Sequence, residues 1–190
     1  MPRKEFQNEV SQVFVDQIWS RGYLTGFDLC RIGAWKAAQS VALLTVNDES
    51  QIAVVTKESL TAIREFREVD VVNHAVDWSS WRVAASTAIG QSRKKPATGL
   101  LSLYGVGYPM ATALLAVVAP RAFPVLDKWA LSQTFRIRPE EAGARKWHTA
   151  ESYMDYCRRL ATDDRAEFKG LSIHHRDQWM MNRGIQASKL

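Results

Sequence analysis

The stretch Leu100-Leu-Ser-Leu-Tyr-Gly105-Val-Gly107-Tyr-Pro-Met-Ala-Thr-Ala-Leu-Leu-Ala-Val-Val-Ala-Pro120-Arg-Ala-Phe-Pro-Val-Leu-Asp127-Lys-Trp-Ala-Leu131 decides how the rest of the chain is read. Three helices are expected in it. The first ends at Tyr104, because Gly105 and Gly107 flank a lone apolar Val106 and free the backbone for positive φ, which makes a tight hairpin. Pro109 falls near the first turn of the second helix, where its missing N–H costs nothing, and Ala111, Ala113 and Ala116 are small enough for close helix–helix approach. Pro120 and Pro124 then force an extended return of about seven residues, which at roughly 3.3 Å per residue can reach over 20 Å. The second helix is only about 15 Å long. The chain can therefore come back beside the hairpin before Asp127 opens a third helix containing Trp129, Leu131 and Phe135.

Two chemistries are suggested by this layout. The N–H groups of the Gly105-Val106-Gly107 turn and the start of the second helix would point outward as an anion site, with phosphate the obvious occupant. A bare Gly-x-Gly also serves plain αα-hairpins, so the turn alone does not require that use. Asp127 is a favoured helix N-cap, contributing about 1 kcal/mol in that capacity alone. An ionised carboxylate at a helix N-terminus can also stabilise a sugar cation, or orient a water against one.

Outward from this stretch, turn and cap signals divide the chain into segments of about 10 to 20 residues with helical apolar spacing. The fold class expected is all-α, a two-lobed helical bundle. A helix is expected over about Asn8 to Trp19, ended by Arg21-Gly22, followed by a Thr25…Asp28 capping box and a helix toward Leu44 with Leu29, Ile32, Trp35 and Leu43 inward. Thr56 is expected to cap a helix through Arg67 with Leu60, Ile63 and Phe66 inward, and Gln51 to Val55 reads as a short strand or a linker into that cap. Asp77 or Ser79 caps a helix stopped by Gly90. Thr149 opens a helix with Tyr153, Tyr156, Cys157 and Leu160 on one face, and a last helix runs from about His174 to Arg183.

Composition narrows the function classes. At 190 residues, 46% hydrophobic and 24% charged, the chain reads as one globular domain over 1–190, with the hairpin at about 97–118. No apolar run is long enough to cross a bilayer and the start lacks the apolar segment of a signal peptide, so a cytoplasmic, nucleoid-associated location is expected. Two cysteines are too few for a four-thiolate zinc site or an iron–sulfur cluster. His174-His175 lacks a third ligand at convincing spacing, so neither a metal nor a cofactor is expected. The net charge of +5 favours an anionic partner, with the densest basic run at Ser92-Arg93-Lys94-Lys95.

The quoted stretch resembles the helix-hairpin-helix DNA glycosylase superfamily. Those enzymes carry a Leu-x-Gly-Val-Gly-x-x-x-Ala hairpin and, about 20 residues after its second glycine, a catalytic Asp reached through a Pro-Val-like segment. Here Leu103-Tyr-Gly105-Val-Gly107-Tyr-Pro-Met-Ala111 matches the hairpin, and Asp127 lies at the corresponding spacing. The match covers about Leu100 to Phe135. Trp35-Lys36 and Arg176-Asp177-x-x-Trp179 also look like an uncharacterised bacterial branch of the superfamily, from which no function is carried over.

The resemblance implies a monofunctional DNA glycosylase, a hydrolase acting as a monomer on double-stranded DNA that contains a damaged or modified base, in base-excision repair or in antiviral defence. Asp127 would be the catalytic residue, Gly105, Val106 and Gly107 would bind DNA phosphate, and Trp35, Lys36 and Trp129 would wall the base pocket. Members that also nick the strand carry a Lys two residues after the second glycine. Pro109 stands there, so simple hydrolysis is expected rather than lyase chemistry. A non-catalytic helix-hairpin-helix DNA-binding module is the alternative, in which Asp127 is only a cap.

Overall fold

Helix α1 (Gln12–Arg21) buries Phe14, Val15 and Ile18, and Gly22 ends it at φ 79°. These features come from a computed structural model, which describes residues 12–37, 41–91 and 97–188. The part of the expected first helix before Gln12, and the basic run at 92–96, lie outside the described residues.

Next comes α2 (Gly26–Ala37), whose start is the expected capping box: Asp28 N–H donates to Thr25 Oγ1 (3.2 Å) and Thr25 N–H donates to the Asp28 carboxylate (2.9 Å). The following turn, α3 (Val41–Leu44), presents Leu44 inward at 1% exposure and leaves Leu43 outside at 45%, the reverse of the expected facing. Helix α4 (Glu49–Ala62) begins eight residues earlier than expected, with Asp48 as its cap, accepting from the Ser50 and Gln51 amides. Gln51 to Val55 is accordingly helical, neither strand nor linker. Thr56 sits fully buried inside α4, where its hydroxyl donates to Ile52 O (2.7 Å) and accepts from Leu24 N (2.9 Å). It ties the turn before α2 to α4 instead of starting a helix. A short 3-10 turn, Arg64–Phe66, follows α4, and Leu60, Ile63 and Phe66 are buried as expected.

Asp77 caps α5 (Trp78–Ile89) and Gly90 stops it at φ 81°. The hairpin follows. Its first arm is a single 3-10 turn, Gly99–Ser102, not an α-helix, and its second arm is α6 (Tyr108–Val118), with Pro109 in the first turn. After the return come α7 (Lys128–Phe135), the short α8 (Pro139–Ala142), a 3-10 turn at Arg145–Trp147, α9 (Ala150–Thr162) capped by Thr149, and α10 (Ile173–Ala187) capped by Ser172. A further 3-10 turn at Ala166–Phe168 joins the last two helices. The chain is all-α, with no strand among the described residues.

One apolar core runs from Phe14 to Met181, centred on Trp81, which stacks on Phe123 and leans on Tyr153. Helix α6 lies deep in it, with every residue but Pro109 buried. Helix α10 packs along α7 so closely that a Cβ at Gly184 would come within 2.7 Å of the Trp129 carbonyl oxygen. No helix among the described residues is long and apolar enough to cross a membrane.

Candidate functional site

The chain from Ala119 to Leu126 has no helix, yet Ala122 to Leu126 are all buried. Buried irregular backbone is stable only if its polar groups find partners. Here side chains supply them. Trp19 Nε1 donates to Val118 O (2.8 Å), Trp81 Nε1 to Ala122 O (3.1 Å) and the Tyr153 hydroxyl to Pro124 O (2.7 Å). Thr112 Oγ1 accepts from Leu126 N (3.0 Å), one residue before Asp127. Two helices, α5 and α9, thus hold the return, α1 fixes the end of α6 just before it, and Thr112 ties the end of the return to α6. The sequence gives each of these aromatics an apolar role; nothing local in it marks them as hydrogen-bond donors.

Asp127 emerges from this segment in extended conformation as the N-cap of α7. Its Oδ1 accepts from Trp129 N (2.9 Å) and its Oδ2 from Lys36 Nζ (2.9 Å). The Lys36 and Asp127 side chains are only 10% and 12% exposed. Lys36 is therefore neither a surface lysine nor free to address a ligand alone; it is the partner of the carboxylate. Both donors stabilise the anion, one by charge and one by the open end of the helix. The pair is brought together across 91 positions of sequence by the packing of α2 on α6, in which Trp35 lies against Ala113, Ala116 and Val125.

Behind the pair lies a second acidic group. Asp177, on α10, is buried and accepts from the Tyr156 hydroxyl of α9. Burial, then the Asp177 charge, pushes the Tyr156 hydroxyl well above the ordinary tyrosine range, and Asp127 adds to the shift. Tyr156 is therefore a neutral donor to Asp177 that also feels the charge of Asp127. Arg176 next to Asp177 has a structural part: its guanidinium donates to the carbonyls of Leu160, Ala161, Asp163, Phe168 and Leu171 and so closes the C-terminal end of α9.

At the hairpin, the two glycines differ. Gly105 has φ 79°, and a Cβ there would meet Leu43 Cβ at 2.7 Å. Gly107 caps α6 at φ −90°, an ordinary conformation, with open space around it, so the expectation of positive φ at both glycines holds only for Gly105. Asn47 clamps the turn from outside: Tyr104 N donates to its Oδ1 (2.6 Å) and its Nδ2 donates to Tyr104 O (2.9 Å). Val106 is buried and its N–H is taken by Leu103 O (3.2 Å). Among the described residues the amides of Gly107 and Tyr108 donate to no backbone carbonyl outside a helix, and Pro109 has no N–H. The Gly105 amide likewise donates to none, so Gly105, Gly107 and Tyr108 are the amides the turn leaves uncommitted among the described residues, and Val106 is not one of them.

The remaining aromatic candidates are partly buried on the core. Trp129 packs on it beneath the Lys128 ammonium, and Trp179 lies edge-on to Phe168 between Arg165 and Arg183. A hollow of about 560 Å³ opens beside the hairpin, between Val106-Gly107-Tyr108, the end of α5 and the start of α9. Neither Lys36 nor Asp127 lines it. Among the described residues no three His, Cys, Asp or Glu side chains come together in a way that could hold a metal ion.

A scan against protein-family models gave no match, and searches of curated proteins and of solved structures gave none. The site therefore has to be read from its own chemistry.

Proposed function

We propose that the protein is a monofunctional DNA glycosylase of the helix-hairpin-helix kind, acting on a damaged or modified base turned out of double-stranded DNA. The observation that carries this reading is the Lys36–Asp127 pair, about nine-tenths buried at the N-terminus of α7, in a chain whose hairpin turn leaves amides uncommitted. An exposed cap would need no ammonium partner and no buried return to hold it. In the proposed reaction the C1′–N bond breaks with its electron pair leaving on the base, and positive charge develops on the deoxyribose. Asp127 stabilises that charge and orients a water, which adds to C1′ and gives up a proton; the base takes one up from solvent. The Gly107 and Tyr108 amides hold a phosphate nearby. The Lys36 ammonium is engaged by Asp127, and Pro109 occupies the position from which strand-nicking relatives of this kind present an amine, so an abasic site is the product.

The test compares the wild type with Asp127→Asn on a panel of genomic DNAs carrying oxidised, alkylated, deaminated and phage-type modified bases, counting abasic sites. Asn keeps the cap but leaves the Lys36 ammonium without its counter-charge, so base release is compared after circular dichroism has shown that the variant is folded. Base release falls by at least about 10²-fold, the scale set by removal of one transition-state stabilising group. Abasic sites made equally by both proteins would sink the assignment. No release from any DNA by the wild type, with DNA still bound, would leave the non-catalytic binding module.

A further inference from the structure

The hollow beside the hairpin is built for something other than the reacting base, because Asp127 is not in it. Its 560 Å³ lies within the size range of small-molecule pockets, roughly 300–1,000 Å³, which suits a nucleotide. One wall is aromatic. Tyr108 and His148 both line the hollow and lie parallel, with ring centroids 5.7 Å apart and planes 5° from one another. Parallel rings at that separation are displaced sideways, so part of the half-buried imidazole face stays uncovered. Burial, then the nearby Arg145, holds His148 below the usual histidine range, which favours a neutral stacking surface.

The rest of the lining is polar enough to read a base edge. Ser86, Gln91 and Thr149 offer both donors and acceptors, and Glu151, paired to Arg82 at 2.8 Å, offers an acceptor for an exocyclic amine. Arg145 stands exposed on the rim. Tyr108 itself is only 7% exposed and its hydroxyl is buried without a hydrogen-bond partner. Native structures rarely leave such a group orphaned, and it marks this wall as one whose polar groups are not all satisfied within the chain. The hollow begins at the hairpin, at the Gly107 and Tyr108 amides assigned to a phosphate.

We propose that this hollow receives one unpaired nucleotide of the bound DNA strand, its base laid against His148 while its phosphate rests on the Gly107 and Tyr108 amides. This rests on the DNA reading of the hairpin and adds to it a second nucleotide, distinct from the one presented to Asp127. A paired base cannot enter, since it would have to leave its stack. The site therefore selects DNA whose pairing is already broken next to the hairpin.

The experiment measures binding of the full chain to a fluorescein-labelled duplex with a single bulged adenosine, against the same duplex fully paired. The wild type prefers the bulged duplex about tenfold, the order expected for stacking one base on an aromatic side chain. His148→Ala removes most of the preference and leaves affinity for the paired duplex unchanged, whereas His148→Phe, which still stacks, keeps it. Equal binding of both duplexes by the wild type, or a preference untouched by His148→Ala, overturns the proposal while the glycosylase reading stands. Saturable binding of deoxyadenosine monophosphate alone without any bulge preference would make the hollow a free-nucleotide site and overturn it too. No binding of either duplex at moderate salt would remove both readings together.

Discussion

Two helix-free segments of the chain are stabilised in opposite ways. From Ala122 to Leu126 the chain is buried, with two aromatic donors and a threonine serving its backbone. From Tyr104 to Gly107 the turn stands largely in the open, fixed by Asn47 and by the fit of Gly105 against Leu43, and it leaves amides uncommitted. The first arrangement delivers a carboxylate to a fixed place, as a group acting on a transition state must be delivered. The second leaves donors that a phosphate can take up without displacing anything the fold needs. The proposed reaction centre and the proposed binding surface would thus differ in how their backbone polar groups are satisfied, not in helix content.

Three comparisons of variants strain this contrast. The largest effect belongs to Lys36→Met, which strips a nearly buried carboxylate of its charge partner and costs about 2–4 kcal/mol in urea unfolding. Pairing it with Asp127→Asn restores most of the loss, because no uncompensated charge remains; a simple sum of the two single losses would show that the pair is not coupled. Next, Tyr153→Phe leaves the Pro124 carbonyl without its donor, at a cost of about 1–3 kcal/mol, and lowers base release while DNA affinity stays as it was. A change in affinity alone would mean that the return segment serves the binding surface after all. The smallest effect separates the two glycines. Gly105→Ala forces a side chain into positive φ against Leu43, costing about 1–2 kcal/mol; Gly107→Ala stays within about 0.5 kcal/mol of the wild type. Equal losses at both positions would erase the distinction drawn here between the inner and outer halves of the turn.

Where a structural feature is decided within a few residues, the sequence was legible. The Thr25–Asp28 box, the Asp77 and Thr149 caps, the Gly22 and Gly90 stops and the extended approach to Asp127 are all of this kind. Asp48 was equally legible, since Asp-Glu-Ser-Gln is a cap followed three residues later by Gln, but Thr56 competed for the role and its hydroxyl turned out to be spent inside the core. Val54 at 59% exposure between buried Ile52 and Thr56 gives the alternation that imitates a strand. Of the site, Asp127 and the turn could be read from spacing. Its environment could not. Lys36 reaches Asp127, Tyr156 reaches Asp177 and Asn47 reaches Tyr104 only through packing of distant elements, which leaves no local trace.

The close approach of Gly184 to Trp129 bears on how the protein is made. Trp129 supplies the amide that fixes Asp127, and the backbone of α10 rests against its carbonyl side with no side chain between. Translation proceeds at about 5–20 residues per second, so a nascent chain exposes Asp127 seconds before Gly184 exists to support it. During that interval the acid and its lysine have been synthesised, but α7 lacks the surface that sets its depth. Maturation of the site is therefore coupled to the docking of α10.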